Sequence, residues 1–386
     1  MFLSKRVQGG KANILADLEN IRRERVAKGL PVYNLSAGTP DLPPAEHVMR
    51  ALSQACLDPE NYKYAISDYP ELLDAAAQWY SRRFGVELSH EQITSVYGTQ
   101  EGMAHIAFPL CDPGDVVLVP DPGYPVFRAG PMLAGAALAT MPLQAENAYL
   151  IDLEAIPSTL AHQAKVMVVS YPNNPVTARA NPEFYERLVH FAKKHDIFVI
   201  HDNAYCELVL EGEPGMSFLA VKGAMDIGME FNSLSKAYNL TGMRMSFALG
   251  NREVIGAFKT FRSSIDYGPF PAAQKAAIAA LCGPQDILDD NRAEYRCRRD
   301  TLTNGLRKIG WNVPTCDSTM FVWYPLPEAY TDDVKFTFEL LEKTGVICVP
   351  GSSFGDMGRG YVRMALVLPP DKLRNAVNSI DIAKIL

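Results

Sequence analysis

Through the middle of this chain, short unbroken apolar runs alternate with amphipathic stretches. Val116 to Val119, Val166 to Ser170, Phe198 to His201 and Ile227 to Asn232 each read as a buried strand. Helical periodicity lies between them, as in Glu183 to His195. Strands without polar alternation are covered on both faces, and strands alternating with helices form a mainly parallel sheet flanked by helices. Ligands in such α/β folds bind beyond the carboxyl ends of the strands. Polar residues that directly follow these runs are therefore the candidates for chemistry.

Flanking segments extend the pattern. Tyr69 to Phe84 reads as an amphipathic helix, and Asp286 to Ile309 as a long charged helix after the Gly283-Pro284 break. Later come strand-like Thr319 to Tyr324, a helix from about Asp332 to Thr344, then Val346 to Val349 and Tyr361 to Val367. The expected organisation is a large α/β domain over residues 45–285. Residues 1–44 and 286–386 would form a smaller α+β domain with an N-terminal arm.

Composition narrows the function class. A formal net charge of -7 argues against a nucleic-acid binder or a polybasic membrane-surface protein. Met1 to Gly10 lacks an apolar run after its basic residues, so no signal peptide is expected, and no stretch has the length of a membrane span. Seven scattered cysteines without a C-x-x-C pair read as reduced thiols of a cytoplasmic protein. His195 and His201 have no familiar metal-ligand spacing, and no metal is expected.

Several residues at strand ends carry chemistry. Lys236 follows a buried run in Ser233-Leu234-Ser235-Lys236, with Arg244 eight residues on. A lysine amine condenses with an aldehyde cofactor and, with a lowered pKa, serves as a base. The Ser233 and Ser235 hydroxyls and the Arg244 guanidinium suit a phosphate. Asp202 and Tyr205 follow another run; Asp202 reads either as a cap or as the anion beside a ring nitrogen. Asn174 lies in a turn after a third run. Gly98-Thr99-Gln100 opens a helical stretch whose free N–H groups could meet a phosphate, and Tyr124 could stack on a ring. Arg363 sits inside an apolar strand, where a guanidinium needs an anion: an internal carboxylate or a substrate's α-carboxylate.

In this order, from Asn34 to the Arg363 strand, these motifs resemble the fold-type I pyridoxal-phosphate (PLP) aminotransferases of classes I and II. The resemblance implies a Schiff-base and proton-shuttling role for Lys236 and a pyridinium partner in Asp202. It implies that Tyr205 and Asn174 hold the phenolate oxygen and that Tyr124 stacks on the ring. Thr99, Gln100, Ser233, Ser235 and Arg244 would hold the phosphate, while Arg363 and the Gly38 backbone would bind the α-carboxylate. Asn174 and Tyr124 would also border the substrate. Tyr64 would reach the neighbouring subunit's cofactor, implying a homodimer with shared sites. A finer resemblance, through Asp58-Pro59-Glu60-Asn61, Val119 to Val126, His201 to Tyr205 and Ala279 to Gln285, is to the bacterial LL-diaminopimelate aminotransferases, with 2-oxoglutarate as the expected acceptor.

Two departures stand out. Asp68-Tyr69-Pro70 replaces a usual glycine and is one residue shorter, and Asn174-Pro175-Val176-Thr177 lacks the usual turn glycine. Glu101, Asn61 and Lys63 are candidate distal contacts for a diaminopimelate, or else ordinary capping and surface residues. Rival readings share the fold: an alanine- or aspartate-type aminotransferase, a PLP-dependent carbon–sulfur β-lyase, or a non-catalytic ligand sensor. Ketoacid-dependent turnover separates transferase from lyase.

Overall fold

The computed structural model describes Phe2 and residues 14–386. The expectation of no signal peptide over Met1 to Gly10 falls, except for Phe2, outside the described residues. A seven-stranded sheet dominates. In chain order its strands are β2 (Ile93–Val96), β3 (Val116–Asp121), β4 (Ala137–Pro142), β5 (Ala164–Ser170), β6 (Phe198–Asp202), β7 (Gly228–Ser233) and β8 (Ser246–Gly250). The spatial order is β2-β8-β7-β6-β5-β3-β4, and only β8 runs against its neighbours. Pairing of Ser170 with Asp202, and of Ser233 with Ser246, aligns the strand ends that carry polar residues.

The unbroken apolar runs follow from burial on both faces. Met167, Val169 and Val199 join one core with helices Pro70–Phe84, Pro182–His195 and Pro271–Cys282. Val166, Val168 and Ile200 join another with helices Val126–Ala134 and Arg252–Arg262. Neighbouring residues of one strand thus face different cores, as a two-residue period requires. His201 and Asp202 inherit this division.

A third core belongs to the C-terminal part: the long helix Asp286–Lys308, helices Asp333–Thr344 and Pro370–Ala383, and a three-stranded antiparallel sheet. That sheet has the order β11 (Val349–Pro350), β12 (Tyr361–Ala365), β9 (Phe321–Pro325). A separate parallel pair joins β1 (Tyr33–Asn34) to β10 (Val346–Ile347). The Val346 to Val349 run, expected as one strand, is therefore two short strands in two sheets. Helix Ile14–Ala27 packs Leu18 against Leu341 and Ile347. Among the described residues, no helix is long and apolar enough to cross a membrane.

The turn without its glycine keeps the glycine's backbone. Thr177 has φ 61°, and its N–H donates to Asn173 O at 2.9 Å while Ser318 Oγ donates to Thr177 O at 2.7 Å. A β-branched residue in this region costs on the order of 1–3 kcal/mol. Glycine relieves that strain, but its more disordered unfolded chain offsets part of the gain. Thr177→Gly should therefore stabilise by up to about 1 kcal/mol in chemical denaturation. Lower stability would mean that the packing of the buried Thr177 side chain outweighs the backbone strain.

Candidate active site

A cleft of about 500 Å³ opens at the carboxyl ends of β2, β3, β5, β6 and β7. It is closed from the other side by Phe321 and Arg363 of the small sheet and by the Gly38 loop. The strand order explains the convergence. Most of the polar residues close a strand or follow it by a few positions, and the parallel strands end at one edge. Thr99, Gln100, Tyr124, Asn174, Asp202, Tyr205, Ser233, Ser235, Lys236 and Arg244 all border this space, as do Gly38 and Arg363. Tyr64 does not: it is 81% exposed and leans on Tyr267 with ring centroids 5.1 Å apart.

One end of the cleft is built for an anion. The Arg244 guanidinium is held by the carbonyls of Thr241 (3.0 Å) and Tyr97 (2.9 Å). Gly98 has φ 95°, and a Cβ there would run into that guanidinium, so glycine is demanded twice. Ser235 lies at the start of the short helix Leu234–Ala237. Ser233 also borders the cleft, but its hydroxyl caps that helix: it accepts from the Ser235 N–H at 3.1 Å and from Ser246 Oγ at 2.7 Å.

Asp202 also borders the cleft. Burial pushes its carboxyl up to about 6, while the neighbouring His201 and the Ala204 N–H pull the other way. His201 itself points to the other face of β6. It is fully buried, with Nδ1 2.9 Å from Glu230 Oε2 and Nε2 3.1 Å from the Tyr185 hydroxyl. Its role is thus a buried polar network.

The Lys236 amine borders the same space. Its Nζ donates to Gly38 O at 2.5 Å. Burial, with the charges of Arg363 and Arg244, lowers it to about 8. Such a group is half neutral near pH 8, well below an ordinary lysine, and its neutral form is available as a nucleophile and base.

Arg363 is 7% exposed and has no carboxylate partner. It donates to Asn174 Oδ1 at 2.9 Å and to Ser36 O at 2.8 Å, and its buried Nε has no partner. Its guanidinium carbon lies 4.2 Å from the Phe321 ring centre and 4.8 Å from that of Phe354. Desolvation lowers it to about 10, which still leaves it charged at neutral pH. A buried cation with only neutral acceptors is poised for an anion from outside. Tyr124 donates to Gln100 Oε1 at 2.9 Å and borders the same space.

Phe321 was not anticipated from the sequence. It floors Arg363 and touches Gly38, where an added Cβ would collide with its ring. Nothing in an apolar strand marks one ring for this position. The distal candidates are otherwise engaged. Asn61 is buried and donates to Ala55 O at 2.7 Å, Lys63 pairs with Glu60 at 2.5 Å, and Glu101 accepts from the Tyr97 N–H and contacts His105 at 2.6 Å. In this chain they are capping and surface residues. Asp68, in the shortened segment, accepts from the Ser95 N–H at 2.8 Å and from its hydroxyl, pinning that loop to β2.

The donor set fits PLP: an arginine–serine–glycine cradle for a phosphate, a carboxylate without an ion-pair partner for a ring nitrogen, and an amine of lowered pKa, all bordering one cleft. Comparison with known proteins agrees. Residues 31–380 match the family model for aminotransferase class I and II. The LL-diaminopimelate aminotransferase of Dehalococcoides mccartyi is 41% identical over 98% of this chain and 97% of its own length. Among solved structures, substrate-bound BacF from Bacillus subtilis superposes with a TM-score of 0.95 at 35% identity, covering 99% of this chain and 98% of that one. A single mutant of Thermus thermophilus aspartate aminotransferase gives 0.93 at 29% identity, covering 100% of both. The chain belongs to the class I and II aminotransferases and is a PLP-dependent enzyme that moves an amino group between an amino acid and a 2-oxo acid.

Proposed function

We propose that the amino donor is LL-2,6-diaminopimelate and the acceptor 2-oxoglutarate. The donor reading is supported by the near-full-length similarity to enzymes of that name. The observation that carries the chemistry is the Lys236 amine, lowered to about 8, in one cleft with Asp202 and Arg363.

When bound, PLP supplies an electron sink for the α-carbon of the amino acid. The residues do the rest. Arg363 grips the α-carboxylate with its two-pronged guanidinium, and Asn174 keeps the fork aimed. Lys236 takes the proton from the α-carbon and returns it at the other end of the transfer. Asp202, as a carboxylate, would accept the ring N–H of bound PLP and favour the protonated ring. Tyr205 and Asn174 would hold the phenolic oxygen, Tyr124 would cover the ring, and Ser235, Arg244 and the amides of Thr99 and Gln100 would hold the phosphate. Ser233 supports that cradle through Ser235 and Ser246.

The active form is a homodimer with shared sites. Support comes from Tyr64, exposed outside its own cleft, in company with exposed Tyr62, Ile66, Tyr267 and Phe270. Division into a large domain (45–285) and a small one (1–44 and 286–386) is supported by a core built mostly from residues 286–386, which Ala204, Tyr205, Leu208 and Leu210 join from the large segment.

Two pH effects follow. Uptake of PLP needs the neutral Lys236 amine, so its rate should rise as pH increases through about 8. Asp202 must be ionised, so retention of the cofactor should weaken as pH falls through about 6. Stopped-flow absorbance across pH 5 to 10 measures both; a flat profile contradicts the assignments.

The donor is tested by offering LL-diaminopimelate, glutamate, alanine, aspartate and cystathionine singly. LL-diaminopimelate should give the highest kcat/KM with 2-oxoglutarate. Pyruvate and ammonia released from cystathionine without any 2-oxo acid would support a β-lyase instead.

A further inference from the structure

A second space of about 370 Å³ adjoins the cleft, and Tyr124 and Arg363 border both. Arg363 stands at the boundary. Phe321, against one side of its guanidinium, borders the cleft, whereas Phe354, also against it, borders the second chamber. An amino acid whose α-carboxylate rests on Arg363 therefore begins where the two spaces meet. The chamber is mostly apolar, with Leu18, Val349 and Phe354 in its wall. Its charged rim comes from helix Ile14–Ala27, through Glu19 and Arg22.

The cations bordering the two spaces are Lys236, Arg244, Arg363 and Arg22. The first three have roles in the proposed reaction. Arg22 has none, and it is not isolated: its Nε donates to Glu19 Oε2 at 2.6 Å and its Nη2 to Glu19 Oε1 at 2.7 Å. Hydrogen bonds from Arg22 and Arg23 hold the Glu19 carboxyl down to about 2, so it is an anion at any working pH. A guanidinium and a carboxylate side by side are the complement of a carboxylate and an ammonium on one carbon. Exposed pairs of this kind stabilise a helix only weakly, so exchanging partners for a ligand is inexpensive.

We propose that this chamber receives the far half of the amino donor, and that Arg22 and Glu19 read its zwitterionic end. Arg22 takes the distal carboxylate, Glu19 takes the distal ammonium, and the methylenes between lie on Leu18, Val349 and Phe354. The inference rests on the diaminopimelate reading and adds the residues that would enforce it.

The test compares two donors of equal length, LL-diaminopimelate and L-2-aminopimelate, which lacks the distal ammonium. Steady-state constants are measured on the PLP-loaded enzyme and on Arg22→Gln and Glu19→Gln. Binding of each donor is measured in parallel by calorimetry, and melting curves confirm folding. Arg22→Gln should weaken both donors by about tenfold or more, with the loss in KM exceeding that in kcat. Glu19→Gln should weaken LL-diaminopimelate by about tenfold more than L-2-aminopimelate. Folded variants that handle both donors like the parent would overturn the inference while leaving the donor assignment intact. Equal losses for the two donors in Glu19→Gln would also overturn it. Failure of the donor assignment is separate and visible earlier: the parent enzyme would reject LL-diaminopimelate while turning over another donor.

Discussion

Lys236→Ala should lower turnover by roughly 10²–10⁴-fold or more, the range for loss of a positioned proton carrier. Two functions go together in this change. The amine that condenses with the cofactor aldehyde disappears, and so does the group that moves the α-proton. No other amine borders the cleft among the described residues, since the remaining cations there are Arg244 and Arg363. The closest oxygen contact of Nζ is the Gly38 carbonyl, which cannot act as a base in its place. A small added amine should restore part of the lost rate, because the cavity left by the side chain is open to the cleft. Retention of a tenth or more of the activity without added amine would show that another group carries the proton.

Arg363→Ala should reduce kcat/KM for the amino donor by roughly 10- to 150-fold, corresponding to about 1.5–3 kcal/mol for a charge-assisted bidentate contact. The guanidinium is buried between two rings and meets only neutral acceptors in Asn174 and Ser36. Its removal takes away the anion site and leaves Asn174 unaimed. Arg363→Lys keeps a charge but cannot donate two parallel bonds, so it should recover only part of the loss. PLP affinity should fall much less than donor affinity in both variants. The reverse pattern, with weakened PLP and normal KM, would move Arg363 from the substrate to the cofactor.

The order of residues around the cleft was readable because each lies just after a strand buried on both faces. Such strands are unmistakable apolar runs, and their parallel arrangement brings their ends together without knowledge of the loops. The Val346 to Val349 run defeated the same reasoning. Two residues on each side of Cys348 pair in different sheets, and local apolarity does not say which partner a strand will find. Ser233 illustrates a second limit. Residue type offers its hydroxyl to a phosphate, and only the fold shows that the same oxygen also satisfies the start of the helix it precedes. Phe321 and the Glu19–Arg22 pair mark a third, because neither has a signature until the chain is folded. A ring in an apolar strand and an opposite-charge pair three residues apart on a helix are both commonplace. Only their placement, under Arg363 and over the adjoining chamber, gives them meaning.

The most direct test of the account is chemical trapping. The purified enzyme is loaded with PLP, reduced with borohydride, digested and mapped by mass spectrometry, with and without prior exposure to LL-diaminopimelate and no 2-oxo acid. A PLP adduct on Lys236 is expected in the unexposed sample. After exposure the adduct should be lost, with one equivalent of 2-oxo acid released per site. An adduct on a different lysine, or none, would mean that Lys236 is not the amine that condenses with the cofactor.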